Sequence, residues 1–123
     1  MSISSFDLVK QFKKKPLDQR QIECDDILRK FPDRIPILVC CNKVGSFEND
    51  LDRIKYLVPS DLTFGQFCYV IRKRLKLKPE IAIFINVGKF IPPTSALLSS
   101  IYNNHKDDDG FIYCIFSKEN TFG

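Results

Sequence analysis

Seven apolar residues stand in succession at Ile35-Pro36-Ile37-Leu38-Val39-Cys40-Cys41. The run is too short for a buried helix and too continuous for a strand with one wet face. Successive side chains of a strand point to opposite faces, so Ile37 and Val39 share one face while Pro36 and Leu38 share the other. Both faces therefore need a cover, which imposes a layered fold around this strand. Pro36 cannot donate to a ladder, which places the strand at a sheet edge or Pro36 near its start.

The segments on either side suggest what the layers are. Residues 4–12 suit a short helix capped by a serine, ended by Lys13-Lys14-Lys15 and Pro16. A second helix from Asp18 sets Cys24, Ile27, Leu28 and Phe31 on one face, and Pro32 stops it. Beyond the apolar run, a loop at 42–52 rich in Gly, Asn and Asp leads to a strand at 55–59, completing a hairpin. Thr63-Phe64-Gly65-Gln66 has the form of a capping box. The helix behind it carries Phe64, Phe67, Cys68, Ile71 and Leu75 on one face. Arg72, Lys73, Arg74, Lys76 and Lys78 crowd its C-terminal end, where cations suit the helix dipole. Ile81, Ile83, Ile85 and Val87 alternate with Ala82, Phe84 and Asn86, a strand pattern. Pro92-Pro93 marks a loop, and Thr94 or Ser95 can cap a short helix through Tyr102. Asp107-Asp108-Asp109-Gly110 is a turn, followed by a last strand at 111–116. This order predicts an α+β roll of the ubiquitin (β-grasp) kind with two helices added in front.

Composition narrows the function classes. A chain of 123 residues is one domain. A net charge of +4 permits attraction to anionic lipid heads or acidic partners and does not demand nucleic acid. The five cysteines form no CxxC and their number is odd, which argues against a disulfide framework and for a reducing compartment. No apolar run approaches the ~18 residues of a membrane span, and the first residues lack the look of a secretion or transit signal. The expected address is the cytosol, with any membrane contact made by an attached lipid or a surface helix.

Five blocks carry a resemblance when taken together. They are Phe31-Pro32-Asp33-Arg34-Ile35-Pro36, Lys55-Tyr56-Leu57-Val58-Pro59-Ser60-Asp61-Leu62-Thr63, Gly65-Gln66-Phe67, Ile71-Arg72-Lys73-Arg74 and Ile91-Pro92-Pro93-Thr94-Ser95-Ala96. In this order they resemble the autophagy-related ubiquitin-like modifiers (the GABA-receptor-associated-protein and microtubule-associated light-chain type), closest to the GABA-receptor-associated-protein branch. The likeness runs from about Phe12 to Gly123. It implies a helical extension at 1–31, a ubiquitin-like core at 32–116 and a conjugation tail at 117–123. It also implies that the terminal Gly is adenylated by an activating enzyme, passed to a conjugating enzyme and joined to phosphatidylethanolamine. A cysteine protease removes the lipid and, in many relatives, residues beyond the Gly. No cofactor is implied. The modifier would be cytoplasmic when free and on the autophagosome membrane when lipidated.

The resemblance further implies a groove for cargo receptors and adaptors that carry an aromatic residue and, three positions later, an aliphatic one. Glu23, Ile27, Pro36, Leu38, Lys55, Leu57 and Phe111 would line an aromatic pocket. Tyr56, Val58, Pro59, Leu62, Phe67 and Val70 would line an aliphatic one. The peptide would add a strand at 55–58, with Arg34 and Arg74 meeting its acidic flanks. Each lining residue has an equal claim as plain core. For Gly123 the physics agrees with the family: no Cβ obstructs a narrow enzyme channel or attack at the acyl carbon. Arg72-Lys73-Arg74 reads equally as a solvated helix face or as a contact to acidic residues flanking the peptide, the conjugation enzymes or lipid heads, and Lys10 with Lys13-Lys14-Lys15 as a mobile basic arm or a membrane-surface contact. His105 lies beside a polar turn, and Asp107 to Asp109 lacks the spacing of a calcium loop. Cys24, Cys68 and Cys114 fall on apolar faces. Cys40-Cys41 replaces a common acidic–basic pair of the family, and Ile54 interrupts a basic run. Three competing functions remain: an adaptor that uses the groove without ever being lipidated, a thiol enzyme using Cys40 or Cys41, and a nucleic-acid binder, for which the charge is too modest.

Overall fold

The structure, a computed structural model, describes residues 3–42, 47 and 49–118. Its elements follow in the order α1 (Ser5–Lys13), α2 (Leu17–Lys30), β1 (Arg34–Cys41), β2 (Lys55–Pro59), α3 (Phe64–Arg74), β3 (Phe84–Val87), α4 (Leu98–His105) and β4 (Ile112–Ser117). The strands form one mixed sheet in the order β2-β1-β4-β3, with β1 and β4 parallel at its centre. The expected α+β roll is thus present, with α1 and α2 in front. The loop at 42–52 lies partly outside the described residues.

Strand β1 is covered on both faces, as its composition requires. Ile35, Ile37, Val39 and Cys41 join the larger core with Phe64, Phe67, Ile71 and Leu75 of α3 and its end. Leu38 and Cys40 join a second cluster with Val9 and Phe12 of α1, Cys24 of α2, Ile54 and Phe111. The adjacent Cys40 and Cys41 therefore serve opposite layers. Pro36 is near the start of a central strand rather than at an edge. The Val39 amide donates to the Ile54 carbonyl at 2.9 Å, so by alternation position 36 turns toward β4, where pairing begins only at Ile37. The missing N–H falls one residue before a ladder needs it.

Local signals place the helices. Ser4 caps α1 by accepting from the Asp7 amide at 3.1 Å. Thr63 and Gln66 form the reciprocal capping box of α3, the Thr63 hydroxyl accepting at 3.2 Å and the Gln66 side chain at 2.9 Å. Three sequence expectations need correction. Phe31 is exposed and ends α2 instead of burying with Cys24. Strand β3 begins at Phe84 rather than Ile81, because Arg72 draws the chain before it into a turn, donating to the carbonyls of Ile81 at 2.7 Å and Lys78 at 3.0 Å. Neither Thr94 nor Ser95 caps α4, which starts at Leu98 with no side-chain cap. The Thr94 carbonyl instead accepts from the Gly65 amide at 3.0 Å, and a Cβ at Gly65 would come within 3.2 Å of Thr94.

Candidate functional site

Strand β2 is an edge strand, and its two faces lead to different layers. Pairing with β1 sets Pro36 against Leu57 and Leu38 against Lys55. Because Val39 and Ile54 form a hydrogen-bonded pair, alternation directs the backbone of Tyr56 and Val58 toward β1 and that of Lys55 and Leu57 outward. An edge of this kind is a template for another extended chain.

On the α2 side of β2, among the residues expected in the aromatic pocket, packing joins Ile27, Leu38 and Phe111 in one apolar cluster, and an ion pair joins Glu23 to Lys55. Leu38 and Phe111 are buried and Ile27 packs half-buried against them. Leu57 is half-buried opposite the buried Pro36. Glu23 pairs with Lys55 and, at 3.4 Å, with Lys15. The Lys55 ammonium lies 5.0 Å from the Phe12 ring centroid, and Phe12 meets Phe111 edge-on at 5.4 Å. Burial opposes ionisation of Glu23, but the bonds and charges of Lys55 and Lys15 outweigh it and hold the carboxyl below its ordinary range. This side of β2 thus combines buried apolar residues with a paired charge.

The second expected set divides by depth. Tyr56, Val58 and Phe67 are buried in the larger core, Phe67 with no exposed surface. Leu62 and Val70 are half-buried and Pro59 is exposed. Of this set Pro59, Leu62 and Val70 are the ones that reach solvent appreciably, with the other three beneath. Arg34 is exposed and reaches the outward Leu57 carbonyl at 3.4 Å. Arg74 is exposed at the end of α3. Gly123 lies outside the described residues.

One anchor is missing from the sequence reading. Asp109, assigned there to a plain turn, is 1 % exposed. Its carboxylate accepts from Arg20 at 2.7 Å, the Phe111 amide at 2.8 Å and the Tyr113 hydroxyl. Burial and the Asp109 bond both push the Tyr113 phenol up, keeping it a donor. Gln21 donates to the Asp108 carbonyl at 3.0 Å and Tyr102 to that of Gly110 at 2.6 Å. This clasp fixes α2, and with it Glu23 and Ile27, against the turn before β4. Gly110 has a φ of +91°, and a Cβ there would meet the Cys24 Sγ at 2.7 Å. An Asp-rich turn ending in Gly was visible in the sequence; its partner Arg20, 89 residues away, was not.

Cys40 and Cys41, the candidate nucleophiles of the thiol reading, are both buried. Burial pushes Cys40 up to about 12 and Cys24 and Cys68 up to about 11, away from the reactive thiolate. Cys24 and Cys114 are buried as expected, while Cys68 is only half-buried. His105 stacks on Phe90 at 4.7 Å. Among the described residues no group of side chains is placed to hold a metal ion, and no helix is long and apolar enough to cross a membrane.

A family model described as autophagy protein Atg8, ubiquitin-like, matches residues 19–123. The chain belongs to this family. Its β-grasp roll is accordingly ubiquitin-like, and its broad role is that of an autophagy protein. It is 54 % identical over 123 residues to autophagy-related protein 8d of Arabidopsis thaliana, covering all of this chain and 98 % of that one. It is 57 % identical over 109 residues to autophagy-related protein 8 of Coccidioides immitis, covering 88 % of this chain and 92 % of that one. A crystal structure of Trypanosoma brucei ATG8 superposes with a TM-score of 0.76 at 42 % identity, covering 90 % of this chain and 95 % of the other. The feature to explain is the unpaired edge of β2, with apolar residues of both layers beside it.

Proposed function

We propose that this chain is a modifier joined through the Gly123 carboxylate to phosphatidylethanolamine, and that it recruits cargo receptors through the β2 edge. The support for the docking half is the outward backbone of Lys55 and Leu57, flanked by residues proposed to form a first pocket at Glu23–Phe111 and a second at Leu62–Val70. An extended peptide bonding to that backbone sends alternate side chains to the two sides. Its aromatic residue enters the first pocket and an aliphatic residue three positions on enters the second. Arg34 and Arg74 meet acidic flanking residues. The conjugation half is supported by family membership, with the family match running to residue 123, and by the chemistry of glycine at an acyl centre.

In this reading the partners are the activating and conjugating enzymes, the cysteine protease that removes the lipid, motif-bearing receptors and a phosphatidylethanolamine membrane. The protein is cytoplasmic when free and resides on the autophagosome membrane when lipidated. Attachment to a phospholipid supplies two acyl chains, enough for stable residence where one chain is marginal. The test is reconstitution with both enzymes, ATP and phosphatidylethanolamine vesicles. The wild type is expected to become a lipidated, vesicle-bound species. Deletion of Gly123 is expected to abolish transfer while leaving thermal stability and peptide binding unchanged. Vesicle binding by the deletion variant would replace the modifier reading with that of an unconjugated adaptor.

A further inference from the structure

The end of β4 emerges beside a basic rim unrelated to the peptide groove. Lys118, the first residue after β4, borders a depression of about 160 Å³ with Phe47, Asn49, Lys76, Leu77, Lys78 and Ile81. Its floor is apolar: Phe47 packs at 5.2 Å on Phe116, and Leu77 and Ile81 are half-buried. Its rim is cationic, with the Lys118 ammonium 5.3 Å from the Phe47 ring centroid. Lys73 continues the rim along α3. Among the described residues, none of Lys73, Lys76, Lys78 and Lys118 takes part in an ion pair. The lining itself holds three lysines and no acid; Asp50 and Asp52 line the adjoining depression with Lys73, Arg74 and Lys76, Glu80 is exposed, and Glu48 and Glu119 stand beside Phe47 and Lys118 in the sequence.

We propose that this rim is a lipid-facing surface, which turns the Lys76–Lys78–Lys118 side of the protein onto an anionic bilayer once the C-terminus is anchored. The inference rests on attachment through Gly123 as proposed above. Five residues follow Lys118, and fully extended they span at most about 17 Å. An anchored terminus therefore holds Lys118 close to the headgroups, within one or two screening lengths of ~8 Å. At that distance a lysine cluster is attracted by anionic lipid, and an apolar floor ringed by lysines suits the headgroup boundary. The orientation leaves free α2, on the other face of the sheet, and the outward backbone of β2, at its far edge.

The test bypasses the conjugating enzymes, so that its failure differs from failure of the attachment reading. A Gly123→Cys variant is coupled to a maleimide-bearing phospholipid in phosphatidylcholine vesicles, with or without phosphatidylserine. The native thiols are buried or half-buried, and four of the five are pushed up by burial, which favours coupling at the new cysteine. Acetylation of each lysine is then followed by mass spectrometry. Labelling of Lys76, Lys78 and Lys118 is expected to slow several-fold on phosphatidylserine vesicles relative to neutral ones, with Lys30 at the end of α2 unchanged. High salt, or the double change Lys78→Glu and Lys118→Glu with Lys76 as reporter, is expected to erase the difference. Groove-peptide affinity stays at wild type in that variant, which also reports that it is folded. Equal labelling on both vesicles, or slowing at Lys30 instead, overturns the proposal and leaves the rim to an acidic segment of a partner protein. A footprint on tethered protein whose wild-type form fails enzymatic transfer sustains the surface and removes the attachment.

Discussion

Asp109 is held by Arg20, Tyr113 and the Phe111 amide in a site with almost no water, and Arg20 is itself only 13 % exposed. Breaking a buried pair from one side leaves the other charge uncompensated, which commonly costs about 3–5 kcal/mol. Asp107, 3.9 Å from Arg20, recovers part of that loss. Asp109→Ala is therefore expected to lower unfolding stability by about 2–4 kcal/mol, measured by denaturant titration. A loss under half a kcal/mol would mean the clasp contributes no more than a surface pair. Glu23 behaves differently, because its side chain is 29 % exposed. Its carboxyl is held below the ordinary value near 4.5, so its contribution is present above that value and lost as pH falls through the folded-state value. Glu23→Gln is expected to be less stable than wild type at neutral pH by at most about 1 kcal/mol. That gap should close in acid, and thermal melts across the acid range would show whether it does.

Helix and strand positions were legible where local chemistry decides them, as with the Ser4 cap, the Thr63–Gln66 box and the apolar run of β1. They failed where a distant group overrides the pattern. Residues 81–83 alternate like a strand, yet Arg72 takes the Ile81 carbonyl. Thr94 reads as a cap, yet its carbonyl serves Gly65. Strand phase set Ile37 and Val39 on one face of β1 and Leu38 on the other, as found, but phase cannot tell surface from floor. That distinction decides how β2 should be probed. Leu57 is half-buried, so Leu57→Ala is expected to weaken a motif peptide by about 1 kcal/mol or more, roughly fivefold, with little change in folding. Phe111 is 2 % exposed and packs edge-on against Phe12. Phe111→Ala is therefore expected to cost about 3–5 kcal/mol of stability, which makes its binding loss uninformative. Peptide titration beside thermal unfolding separates the two, and Leu57→Ala binding like wild type would remove that side chain from the groove.

At the scale of the molecule, the sheet joins two cores of unequal size. The α3 side gathers residues from every strand, whereas on the α1–α2 side α2 fully buries only Cys24. The front layer is held largely by polar ties: the Asp109 clasp on α2 and a second tie on α1. There the Ser5 amide and hydroxyl donate to Asp50 at 2.8 and 2.6 Å, while the Ser5 hydroxyl accepts from the Cys41 amide at 3.0 Å. A layer with little buried apolar surface opens below the global unfolding free energy. Opening it would uncover Phe12 and Phe111 and remove a wall of the first pocket, while the β2 edge and the Leu62–Val70 depression persist. Asp50→Ala deletes the acceptor for three donors, the Ser5 amide and hydroxyl and the Leu51 amide, and leaves Ser5 buried without it, an expected loss of about 1–3 kcal/mol. That loss should be felt first in the front layer. Hydrogen exchange is expected to accelerate at the α1 amides, with exchange in α3 and β4 near wild type. Peptide affinity should fall through the aromatic residue alone, so a peptide lacking its aromatic anchor should bind both proteins equally. Uniform acceleration across α3 and β4 would show instead that the two layers unfold as one unit.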